Sequence, residues 1–198
     1  MPTTKYNNIF SVTLLNSISP LSKPLKSFLS QRMISSHFKK GEFIVKSGET
    51  CNRIHLIRKG LIRGYFDFNS NEVTTWVSVD SEMVTSISGY FKNEPALENI
   101  QCLEDTYTES LSFEDMDYAI KNYSDMAALN RILMEYYYLQ AENRALLARI
   151  PGAKDRYDHF LKTFNPEIIK RLPKKYLASL LNMRPETLSR LVLNPVEM

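Results

Sequence analysis

Cysteine is scarce: Cys51 and Cys102 are the only two in 198 residues. That is too few for a disulfide framework or an all-cysteine metal cluster, and neither sits in a CxxC pair, so both are expected as packed thiols. Histidine is nearly as rare. His37, His55 and His159 lie far apart in the chain, so metal catalysis lacks its ligands and no metal is expected. No apolar segment reaches the ~18 residues that a membrane span requires, and the N-terminus has no basic stretch followed by an apolar run; the expected compartment is the cytoplasm. A Gly-rich phosphate loop, a GxSxG and a paired Cys/His arrangement are all missing. With no converging nucleophile, base and orienting group, the sequence reads as a binding protein rather than an enzyme, and no cofactor is expected.

What is present suits one or two globular domains: 43% of residues are hydrophobic and the formal net charge is only +3. The charge is uneven. Residues 151 to 198 hold nine Lys and Arg against five acids, an excess that permits an anionic partner at that end without requiring one.

Three textures follow one another. Between Ser19 and Ser35, Leu21, Leu25, Phe28, Leu29 and Met33 recur at helical spacing behind Pro24, which predicts a short amphipathic helix. From 41 to 113 the period changes to short β-rich runs punctuated at Gly41, Ser47-Gly48, Lys59-Gly60 and Asn69-Ser70-Asn71, the spacing of antiparallel strands in a barrel or sandwich. Helical pattern begins near Glu114. Along one long helix, Leu129, Ile132, Tyr136, Leu139, Asn143 and Leu146 form a stripe beside a second one of Leu133, Tyr137 and Leu147. Two stripes imply two packing partners, the β domain on one side and a second copy of the chain on the other, with Asn143 as a register-setting polar residue; the alternative is a helix buried in a monomer core. Pro151-Gly152 ends this helix and offers a hinge. Short helices with prolines at their starts then fit a small helical domain.

Within that domain, "PKKYLASLLNMRPETLSRLV" (173 to 192) meets the requirements of a helix-turn-helix. Leu177, Leu181, Leu188 and Leu191 supply a shared core, and Ala178 is small where two helices cross. Asn182 tolerates a left-handed turn, Pro185 fits the first helical position, and Glu186 suits the positive end of the second helix. Glu186, Thr187, Ser189 and Arg190 are left for the outer face, where arginine and carboxylate can read base edges.

The order "FKKGEFIVKSGETCNRIHLIRKGLIRGYF", long helix, then "PKKYLASLLNMRPETLSRL" resembles the Crp/Fnr family of bacterial transcription regulators, in particular its short-tailed Bacteroidetes type, over roughly residues 20 to 192. The resemblance implies an α+β chain in three parts: a cyclic-nucleotide-binding-like β-roll (jelly roll) sensor domain at 1–125, a dimerisation helix at 126–151, and a helix-turn-helix DNA-binding domain at 152–198. It implies a homodimer that reads a palindromic DNA operator and answers to a small-molecule effector. An activator of this kind would also need a surface for RNA polymerase, and no run of residues marks one. Carried over by position, Glu186 and Arg190 fall on the family's base-reading residues, Thr187 lies beside the DNA backbone, and Lys174 and Lys175 are candidates for phosphate contact.

Two departures from the family stand out. Arg184 replaces the usual Thr or Ser before the recognition helix, which loses a side-chain cap and adds a possible phosphate contact. The eight residues after Arg190 contain no lysine or arginine, so weak DNA binding is expected, and a ligand-responsive dimer that has lost DNA recognition is the alternative. In the sensor domain, Ile87 falls near the family's ribose-binding glutamate and Leu97 near its phosphate-binding arginine, so cyclic AMP is not the expected effector. Tyr90 and Tyr137 join these two as candidate pocket residues. An iron-sulfur sensor would need four cysteines. Trp76 and the run Tyr136-Tyr137-Tyr138 are expected as core and interface aromatics, with one tyrosine at most lining the pocket.

Overall fold

The computed structural model describes residues 9–92 and 94–193; the non-basic end of the chain at 194–198, singled out above, lies outside the described residues. The chain opens with α1 (Ile9–Ile18) and α2 (Lys23–Arg32). Ser22 caps α2 by accepting from the Leu25 amide, and Pro24 sits in its first turn, where its missing N–H costs nothing. The helix ends at Arg32, not at Ser35 as the apolar spacing suggested. Residues from Ile34 to Phe38 form β1, which is drawn into the sheet by pairing with β8. The earlier helix α1 was not anticipated; it buries Leu15 against α2 and its neighbours.

Strands β2 (Phe43–Val45), β3 (Arg53–Lys59), β4 (Leu61–Phe68), β5 (Asn71–Val79) and β6 (Met83–Val84) lead to a short helix α3 (Ile87–Lys92), then β7 (Asn99–Cys102) and β8 (Thr106–Ser112). They form two four-stranded antiparallel sheets, β1-β8-β3-β6 and β2-β7-β4-β5. This is the expected jelly roll. Turn chemistry sets its corners. Asn69 and Ser70 both take positive φ between the paired Phe68 and Asn71, the two-residue hairpin turn whose twist matches the strands. Gly60 passes from one sheet to the other at φ +148 with Thr106 where a Cβ would stand; only glycine fits.

Val45, Ile57, Ile62, Val84, Ile100 and Cys102 fill the space between the sheets. Burial pushes the Cys102 thiol up to about 11, so it packs as an inert apolar group. Strands β3 and β4 carry long runs of buried residues, because each is covered on both faces: helices lie outside the roll as well as side chains within it.

Helices α4 (Phe113–Asn122) and α5 (Ser124–Arg149) follow. Ser112 caps α4 by accepting from the Asp115 amide. On α5, Met126, Leu129 and Leu133 join α1, α2 and α4 in a second core on the outside of the roll. The helix stops before Pro151, and α6 (Ala153–Thr163), α7 (Pro166–Arg171), α8 (Lys174–Leu180) and α9 (Pro185–Leu193) complete the described chain. Their core does not close on itself. Phe160, Ile168, Leu172, Leu177, Leu181 and Leu188 pack with Leu147 of α5 and with Leu61, Val77, Val79 and Leu103 of the roll.

Candidate functional site

Helices α8 and α9 meet through a four-residue turn at 181–184. Asn182 takes φ +48, as its tolerance of the left-handed region predicts. The Met183 amide donates to the Ala178 carbonyl, and Arg184 O accepts the first bond of α9 from the Leu188 amide. Leu177, Ala178, Leu181 and Leu188 are buried at the crossing. Arg184, Glu186 and Arg190 are exposed, Thr187 and Ser189 half-buried, and Lys174 and Lys175 exposed at the start of α8. Of the residues expected to face DNA, all but Thr187 and Ser189 are therefore accessible.

Sequence reasoning missed what holds this end in place. From α6, Arg156 donates to four carbonyl oxygens: Ile150 at 2.7 Å, Pro151 at 3.0 Å, Leu181 at 2.7 Å and Asn182 at 3.1 Å. One guanidinium thus ties the Pro151 break to the turn of the helix-turn-helix, so the expected hinge is a fastened one. On the other flank, α7 and α8 lie on β5. Arg63 of β4 is only 1% exposed and stacks between the rings of Tyr65 and Tyr176, its guanidinium carbon 4.0 and 3.9 Å from their centroids. It also donates to Glu72 at 2.6 Å and to Gln101 at 2.7 Å. Arg171 of α7 binds Asp80 at 2.9 Å and Glu104 at 2.6 Å; these bonds, that to Glu104 first, hold its pKa above the ordinary value. The Ser179 hydroxyl accepts from the Thr74 amide at 2.9 Å. Only residues far apart in sequence create this contact, so no local pattern announces it.

A cavity of about 1220 Å³ lies beneath this arrangement, between β5, β6 and α3 of the roll, the middle of α5, and α6 and α7. Of the four expected pocket residues, Ile87 and Tyr137 line it. Leu97 stands instead at a smaller cavity of about 690 Å³, which Ile87 also borders together with Asp67, Lys92 and Glu98. Tyr90 lines neither cavity; it is buried with edge-on contacts to Phe91 and Phe113. Trp76 and all of Tyr136, Tyr137 and Tyr138 line the larger cavity, so more than one tyrosine borders it. Gly64 makes the room, since a Cβ there would strike the Trp76 ring.

Polar side chains stand among apolar ones around the larger cavity, and Glu82, Glu98 and Arg144 are among those that carry charge. Glu98 accepts from Trp76 Nε1 at 2.8 Å and from Thr75 at 3.5 Å. Glu82 accepts from the Val79 amide at 3.2 Å and from Asn165 at 3.4 Å. Burial raises the pKa of both carboxyls. Arg144 of α5 is their counter-charge: burial lowers its pKa, against the opposing pull of Glu98 and Glu82. It makes no hydrogen bond or close ion pair among the described residues. Tyr137 Oη accepts from the Met83 amide at 2.6 Å, which leaves its own proton to donate. No group of three or more His, Cys, Asp or Glu that could hold a metal occurs among the described residues, and no described helix is long and apolar enough to cross a membrane.

The two expected faces of α5 separate only partly as foreseen. Leu129 is 0% exposed within its own chain's core, so it cannot reach a second copy. Asn143 is committed as well, bonded to His159 at 2.8 Å and Thr163 at 3.2 Å of α6. Leu139 and Leu146 are 60% and 58% exposed and Tyr136 is exposed, while Ile132 is half-buried. Ile132, Leu139 and Leu146 lie seven residues apart, a heptad seam on the outer flank of the helix.

The architecture is a β-roll, a long helix along it, a cavity between the two and the C-terminal helices, and a helix-turn-helix beyond. Residues 35–123 match the cyclic nucleotide-binding domain family. Among solved structures, FixK2 from Bradyrhizobium japonicum superposes with a TM-score of 0.69 at 16% identity, covering 82% of this chain and 83% of its own. CooA from Carboxydothermus hydrogenoformans, in a mutant form, gives 0.69 at 14% identity over 98% and 85%. A transcriptional regulator of the Crp/Fnr family from Eubacterium rectale gives 0.66 at 20% identity over 89% and 84%. A comparison with curated proteins finds no match. Residues 35–123 thus match the cyclic nucleotide-binding domain family, and the chain as a whole has the fold of these Crp/Fnr-type regulators.

Proposed function

We propose that the chain is a DNA-binding transcription regulator of the Crp/Fnr type that works as a homodimer and reads a palindromic site. The observation that carries this reading is the exposed set Arg184, Glu186 and Arg190 on a helix-turn-helix joined through α5 to a ligand-sized cavity. Glu186 and Arg190 are one turn apart on α9, so both can face a major groove, Arg190 forking onto guanine and Glu186 accepting from a cytosine amino group. Lys174, Lys175 and Arg184 stand on its margin for phosphate. The exposed Leu139 and Leu146 support pairing of two α5 helices, which would set two recognition helices about one helical turn of DNA apart.

The positions that resemble the family's ribose and phosphate ligands carry Ile87 and Leu97, both exposed and apolar, so neither offers the polar partner or cation that a cyclic nucleotide would need there. The effector is therefore of another class, and the protein acts as a binding module rather than an enzyme.

DNA affinity across a salt series, on selected palindromic sites, tests the regulator reading. The expected result is a sequence-preferring complex whose affinity falls steeply with salt and which Arg190→Ala weakens by about 1–3 kcal/mol with loss of preference at one base pair. No binding at low salt, or an Arg190→Ala variant that binds every site as the parent does, would refute it.

A further inference from the structure

The larger cavity joins both halves of the molecule, with Trp76 and Val84 on the roll, Tyr137 and Arg144 on α5, and Phe164 and Ile168 from the C-terminal helices. Two of its polar groups have donor capacity left: Arg144 has no hydrogen-bond or close ion-pair partner among the described residues, and Tyr137 has a proton to give, whereas Glu98 and Glu82 are already engaged by Trp76, Thr75, the Val79 amide and Asn165. We propose that this cavity binds a small amphipathic carboxylate, its apolar body against the aromatic wall and its single negative charge received by Arg144, with any second acceptor reaching Tyr137.

Glu82 and Glu98 oppose any anion here, so the least-charged one is favoured: a phosphate dianion at Arg144 would meet more repulsion than a monoanion, and one guanidinium cannot offset it. A cationic ligand would have to take the carboxylates from the protein donors they already hold and would leave Arg144 unmatched. A neutral apolar molecule would bury the guanidinium without a partner, which costs more than the hydrophobic contact gains. A carboxylate matches the planar fork of arginine in two parallel bonds.

The consequence is direct contact between the ligand and the helical domain. Phe164 ends α6, Asn165 caps α7 and Ile168 lies within α7, so a bound molecule presses on the same helices that carry α8 and α9. This proposal deepens the regulator reading by naming its class of effector, but it is read on the free protein without DNA.

Trp76 is the only tryptophan in the chain, so its emission reports the cavity. Phenylacetate, cyclohexylacetate and decanoate are titrated beside their primary amides. At least one acid is expected to give a saturable change in Trp76 emission, with its amide about tenfold weaker or more, since the amide loses the charge-assisted pair. Arg144→Gln should bring the acid down to the level of the amide, and Arg144→Lys should restore part of the difference. Equal binding of acid and amide on the unaltered protein overturns the proposal with no variant involved; so does an absence of saturation for all three acids, or full affinity in Arg144→Gln. Loss of DNA binding with carboxylate binding intact would sink the regulator reading and leave this one standing.

Discussion

His55 illustrates how far a single residue's role can be from its usual chemistry. It lies inside the roll, its ring 3.2 Å from the Thr108 hydroxyl and edge-on to Phe38. Burial, helped by the neighbouring Arg53, pushes its pKa down to about 4. The unfolded chain would take a proton near pH 6.5 and the folded one only near 4, so between these values the unfolded state binds more protons. Stability is therefore lost as pH falls through that window, by up to about 3 kcal/mol. Glu82 and Glu98 act with the opposite sign, since raised carboxyl pKa values favour the folded state on the acid side. The difference between parent and His55→Gln isolates the histidine: the parent should lose more melting temperature than the variant between pH 6.5 and 4, and parallel curves would contradict the burial argument. The buried site of His55 was not legible in the sequence, because an isolated histidine in a short strand carries no sign of which face is covered. Asn143 misled for a related reason. A polar residue in an apolar stripe fits a dimer register, yet here its amide satisfies His159 and Thr163 on the same chain.

At the scale of elements, local patterns were most legible where one physical cause dominates. Turn residues such as Asn69-Ser70 and Asn182 demand positive φ and fell where strands or helices reverse. Prolines marked the starts of α7 and α9. The helix α1 and the strand β1 were lost, since both owe their form to partners distant in sequence: Ser11 N on α1 donates to the buried Glu109 of β8 at 2.9 Å, and β1 pairs along β8. Helix α5 gives a test that separates its faces. Leu139→Glu and Leu146→Glu place charge on the exposed heptad seam and should convert a dimer to monomers with an unchanged melting profile, as sedimentation would detect. Leu129→Ala, cut from the core, should instead cost about 2–5 kcal/mol of folding stability and leave association intact at temperatures where the chain is folded. A monomeric parent would remove the seam from the argument.

For the whole molecule, the decisive fact is that the helical domain has no core of its own. Leu177, Leu181 and Leu188 share one with Leu61, Val77 and Val79, and Arg63, Arg171 and Ser179 bind across the same contact. A domain so placed cannot unfold alone without exposing the roll. Thermal unfolding followed by Trp76 emission, which reports the roll, and by far-ultraviolet circular dichroism, dominated by helices, should therefore coincide in one transition. Two separated transitions would show that the contact is weaker than its burial indicates. The order of β-roll, long helix and helix-turn-helix was readable from the sequence because each part has its own period. Their packing was not, because it depends on side chains that no periodic rule relates.

The shared core also sets a condition on how the chain is made. During synthesis the N-terminal part emerges first and can begin to fold, but the apolar floor formed by Leu61, Val77, Val79 and Leu103 waits for Leu177, Leu181 and Leu188 to cover it. Until the ribosome has released α8 and α9, the nascent roll carries an uncovered sticky face, and a message cut short before α8 would yield a product drawn to aggregate rather than a free β-roll.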